Sequence, residues 1–136
     1  MGPLTLDQLR EKLAPQNSER KLADLAQLWE TFGIRSAFLE STGTNAFAAT
    51  VVADAGIGTL REVGGMLSLQ ITPFCEVTGA GVRERPENVQ MILAHEEKEY
   101  HLAWQGTLPS MLADPTFQWI VQQWRASHAG AQTSHA

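Results

Sequence analysis

Apolar positions recur at helical spacing near both ends of this chain and alternate through its middle, a pattern that predicts helices flanking a sheet. Leu6, Leu9 and Leu13 make a narrow stripe. Thr5 stands before it as an N-cap, and Gln8 falls where a capping box needs its reciprocal acceptor, with Leu4 and Leu9 in the staple positions. Pro15 ends that helix. Asn17 or Ser18 caps a second helix. Leu22, Leu25, Leu28, Trp29 and Phe32 carry its apolar face until Gly33 offers a C′ stop.

The centre reads as strand. Ile34 to Glu40 predicts one strand, Ser41 to Asn45 a turn, and Ala46 to Ala53 a second strand. In that second strand the consecutive β-branched residues Thr50, Val51 and Val52 outweigh alanines that would also permit a helix. From Met66 to Phe74 the alternation is clean, with Leu67, Leu69 and Ile71 on one face and Ser68, Gln70 and Thr72 on the other. Residues 89–105 predict a hairpin in which Met91 opposes Trp104, Leu93 opposes Leu102 and His95 opposes Tyr100. Glu96 would then face Glu99, a like-charge pair, so Glu96 to Glu99 is expected as a four-residue loop.

Asp114-Pro115 reads as an N-cap with proline at N1, opening a helix that runs to His128. Phe117, Ile120, Val121 and Trp124 form its apolar stripe. Trp119 lies roughly 150° from the centre of that stripe. It shares a face with Pro115, Gln122, Gln123 and Ala126. Two accounts fit an indole in that position: burial beneath the N-terminal helices, or contact with a partner. The expected architecture is α+β, with two N-terminal helices, an antiparallel sheet of about five strands and a C-terminal helix packed on the sheet. We expect one domain over 1–128 and a small, polar, flexible tail over 129–136.

Composition narrows the function classes. The 136 residues are 43% hydrophobic and 18% charged, which argues against disorder. A formal net charge of −5 disfavours nonspecific nucleic-acid binding, which needs a basic field. Cys75 is the single cysteine, so no intramolecular disulfide forms. The opening residues lack the basic-then-apolar order of a signal peptide, and no apolar run approaches the roughly 20 residues that span a bilayer. A cytoplasmic protein without a membrane partner is the expectation.

Candidate chemistry is sparse. Gly56-Ile57-Gly58 could form an anion-binding turn, but it lacks the third glycine of a dinucleotide fingerprint and the Lys-Ser/Thr of a P-loop. It is expected as a loop with tight turns. His95, Glu96, Glu97 and His101 have the residue types of a metal site, yet the hairpin parity sends the two histidines to opposite faces. No metal and no cofactor are expected. Cys75 has no histidine beside it in sequence to act as a base. Glu40 and Asp54 end strands, where carboxylates usually turn to water.

Two function classes follow. The first is a non-enzymatic protein-binding module, self-associating as a homodimer through Trp119, Pro115, Gln122, Gln123 and Ala126. The second is a binder of a small apolar ligand, or an enzyme, with a pocket between sheet and helices. Ser68, Gln70 and Thr72 would line that pocket, with Cys75, His101 and Glu40 supplying chemistry.

Overall fold

A computed structural model describes residues 2–41 and 48–133, side chains excepted at 16, 41, 63 and 129–133. The fold is α+β: among the described residues there are four α-helices, the last of them a long C-terminal one, and seven strands in two antiparallel sheets. The contacts divide the chain into two compact units, Gly2–Ile71 and Thr72–Ala136.

The first unit opens with α1, Leu6–Leu13. Its capping box forms as the sequence predicts: the Gln8 amide donates to Thr5 Oγ1, and Gln8 Oε1 accepts from the Thr5 amide. A 3-10 turn over Ala14–Gln16 carries Pro15. The helix α2, Glu19–Thr31, is capped by Ser18, whose hydroxyl accepts from the Lys21 amide. Gly33 follows with φ +61°, the left-handed geometry of a C′ glycine. A four-stranded meander then runs through β1 (Ile34–Ser41), β2 (Ala48–Ala53), β3 (Gly56–Val63) and β4 (Met66–Pro73), each strand beside its sequence neighbour. The turn expected over Ser41 to Asn45 lies outside the described residues beyond Ser41, as do Ala46 and Phe47. Leu9, Leu13, Leu25, Ile34, Ala37, Ala49, Val51, Ala53 and Leu60 form this unit's core, so the helices cover one sheet face. The outer edge of β1 meets the N-terminal segment, where Leu4 and Ala37 exchange two backbone hydrogen bonds of 2.8 and 3.0 Å.

The second unit holds β5 (Gly79–Glu84), β6 (Val89–His95), β7 (Lys98–Trp104), the short helix α3 (Leu108–Leu112) and α4 (Pro115–Thr133). Its sheet order is β5-β6-β7. The helix α4 runs five residues beyond the expected end at His128, into the segment read as a flexible tail.

Two strands were expected as loops or not at all. Gly56-Ile57-Gly58 is no anion-binding turn. It begins β3, with Ile57 opposite Val52 and Gly58 opposite Val51. Gly58 serves close approach instead: a Cβ there would stand 2.6 Å from the Gln70 carbonyl oxygen of β4. The strand β5 begins Gly79-Ala80-Gly81, without the β-branched signal that marks its neighbours. The hairpin of β6 and β7 is shifted by two residues from expectation. Met91 opposes Leu102, Leu93 opposes Tyr100, Val89 opposes Trp104 and His95 opposes Lys98. The loop is the two residues Glu96-Glu97, with Glu96 at φ +54°. A shift of two preserves parity, so the apolar residues still share one face. It also removes the objection that motivated a longer loop, because Glu99 now faces Ala94.

Candidate functional site

The helix α4 starts where expected. Asp114 Oδ1 accepts from the Thr116 amide at 2.8 Å, and the Asp114 carbonyl takes the first helical bond from Gln118. On the expected stripe Ile120 is fully buried, while Phe117, Val121 and Trp124 are partly buried. Phe117 meets Trp104 edge to face, with centroids 6.1 Å apart. Trp124 Nε1 donates to the Val77 carbonyl at 2.9 Å, and His128 Nε2 donates to the same oxygen at 2.9 Å.

Trp119 is half-buried, and much of the reason lies within its own unit. Its ring meets the buried Phe74 edge to face, with centroids 5.8 Å apart and planes at 71°. Phe74 opens a 3-10 turn, Phe74–Glu76, directly after β4. This turn and Val77 thus touch α4 on two flanks, at Trp119 and at Trp124. These two residues are about 140° apart on a helix, with Ile120 between them. The helix is covered over a wider arc than its stripe of four apolar residues implies. The clue in the sequence was Phe74, a large apolar residue placed just past a proline. What remains outward around Trp119 is Pro115, Gln118, Gln122 and Ala126, all exposed, with Gln123 partly buried.

The residues expected to line a ligand pocket have these environments. Ser68 and Gln70 are exposed on β4, while Leu67, Leu69 and Ile71 are partly buried. Thr72 is buried and shares a 2.7 Å hydrogen bond with the buried Tyr100 hydroxyl. Glu40 Oε1 accepts from the buried Thr50 hydroxyl at 2.7 Å. Cys75 is exposed in the 3-10 turn. His101 Nε2 donates to Glu99 at 3.2 Å, at a partly exposed position. His95 Nδ1 donates to the Glu76 carbonyl at 2.8 Å. His95 faces Lys98 and His101 faces Ile92, so the two histidines lie on opposite faces. Among the described residues no group of three or more His, Cys, Asp or Glu side chains could hold a metal ion. No helix among them is long and apolar enough to cross a membrane.

A groove that sequence reasoning missed lies within the first unit. Ser18, Arg20, Lys21, Asp24, Gln27 and Leu28 of the α2 side form one wall, and Gly65, Met66 and Leu67 the other. Its volume is about 620 Å³. Lys21 forms an ion pair with Glu62 of β3, whose side chain is only 5% exposed. Met66 is 74% exposed at the rim. Comparison with protein-family models, curated proteins and solved structures finds no match to this chain.

Proposed function

We propose that this protein is a non-enzymatic protein-binding module, with the outward face of α4 as its contact surface and self-association as its simplest assembly. The observation that carries this reading is the setting of Trp119. Phe74 meets the indole edge to face, the residue as a whole stays partly exposed, and the surrounding Pro115, Gln122 and Ala126 are small or uncharged. A large ring already fixed by a neighbour loses little side-chain freedom on binding, which is the economy of a binding hot spot. The reading places the protein in the cytoplasm, where a lone cysteine needs no oxidising compartment.

Trp119→Ala should weaken partner binding by about 2 kcal/mol or more. The check is sedimentation equilibrium for self-association, or pull-down from lysate followed by titration with the captured partner. Unchanged affinity in a folded variant rejects this surface.

The groove beside α2 favours a second reading, binding of a small ligand. Its volume falls in the range of ligand sites, and Leu28, Met66 and Leu67 give it apolar surface flanked by Arg20 and Asp24. A thermal-shift screen of small apolar compounds should then raise the unfolding midpoint with at least one of them. Met66→Asp should abolish that rise.

A further inference from the structure

Among the described residues the strand β5 is an edge of its sheet, and its backbone fixes which groups point away from that sheet. Arg85 N–H donates to the Asn88 carbonyl at 2.8 Å across the two-residue turn, so Arg85 and Asn88 form a hydrogen-bonded pair. Such pairs alternate along an antiparallel ladder. Arg83 opposite Gln90 and Gly81 opposite Ile92 therefore bond inward, while Ala80, Val82 and Glu84 direct their amides and carbonyls outward. Residues 80–84 are all exposed.

The side chains add a second constraint. Val82 faces Met91, and Met91 faces Leu102. These three make one cross-strand row on the face where Trp104 meets α4. Leu102 and Met91 are buried, whereas Val82 is 47% exposed. The apolar row stops at the sheet edge, beside a line of outward backbone groups.

We propose that β5 pairs antiparallel with β5 of a second copy of this chain about a two-fold axis at Val82, joining two three-stranded sheets into one of six. The strand is divided: Gly79, Ala80 and Gly81 are small, and Arg83, Glu84 and Arg85 are charged. Antiparallel self-pairing sets the small half of one copy against the charged half of the other. With the axis at Val82, Ala80 meets Glu84, Gly81 meets Arg83, and the two valines meet each other. Moving the axis to Arg83 or Glu84 would place like charges face to face, which is destabilising. The Val82 axis also aligns outward-pointing residues with outward-pointing residues, as a hydrogen-bonded ladder requires. A second copy fits both the backbone groups and this small-to-charged division. A ladder this short makes a small interface of the transient class, so the dimer forms with rising concentration.

This surface is separate from the α4 face, and Trp119→Ala leaves it untouched. The test is sedimentation velocity over a hundredfold concentration series, together with amide hydrogen exchange. In the Trp119→Ala background, where association through α4 does not contribute, the expected result is a concentration-dependent doubling of mass, with slower exchange of the Val82 amide at high concentration. Val82→Pro removes an amide that the intramolecular ladder does not use, and Val82→Lys sets two ammonium groups against each other at the axis. In that same background both should hold single-chain mass throughout. A Trp119→Ala protein of single-chain mass at every concentration would overturn the proposal, as would a Trp119→Ala, Val82→Lys double variant that dimerises as strongly as Trp119→Ala alone. Should Val82→Pro fail to fold, Val82→Lys and the exchange of the Val82 amide in Trp119→Ala decide.

Discussion

Gly33 joins three elements at one residue. Its φ of +61° lets the chain leave α2 and enter β1, and its carbonyl accepts from the Asp54 amide at 3.0 Å at the end of β2. A Cβ here would fall 2.5 Å from Asp54 Oδ2. Gly33→Ala therefore meets both a left-handed backbone and a carboxylate, which itself accepts from Arg35 at 3.1 Å. It should destabilise the protein by about 1–2 kcal/mol from the backbone alone, measured as a lower urea midpoint with unchanged slope. The sequence marked Gly33 as a stop because a helical stripe ended there. It could not show Asp54, because that contact spans twenty-one positions and follows no local period. The same holds at Trp119. Periodicity marked it as misplaced, and only the path of the chain after Pro73 brings Phe74 to its edge.

Among elements, those with a dense apolar period were legible and those built on glycine were not. The helices α1 and α2, the clean alternation of β4 and the N-cap of α4 could each be read from side chains that carry their own signal. The strands β3 and β5 begin Gly-Ile-Gly and Gly-Ala-Gly, which locally resemble turns. In β3 the reason for glycine is tertiary: the backbone of β4 passes where a side chain would stand. Gly58→Ala should push β3 from β4 and cost about 1–3 kcal/mol, as overpacking does, and amide exchange should quicken in β4 before it does in β1. The hairpin of β6 and β7 teaches a related lesson. Alternation determines which face each residue takes, but every shift by two satisfies it equally. The turn decides between such registers, and Glu96-Glu97 carries none of the asparagine or glycine that usually marks a tight one.

For the molecule as a whole, each described strand pairs only with strands next to it in sequence, in two meanders of four and three strands, and only the bridge between Leu4 and Ala37 reaches further. Local pairing keeps the entropy of loop closure low. Refolding followed by tryptophan fluorescence should run chiefly on the millisecond scale of mixed α/β domains, with a minor phase of tens of seconds from the six prolines. A main phase slower than a second would show that distant contacts set the barrier. The attachments of α2 bear on how freely it moves. Near its start Lys21 is tethered to Glu62, and just beyond its end Gly33 is bound to Asp54. A helix moored at bow and stern cannot swing away from its quay. If the groove beside it takes a ligand, as proposed, the wall formed by α2 is held at two points, and fit would turn on the visitor's girth.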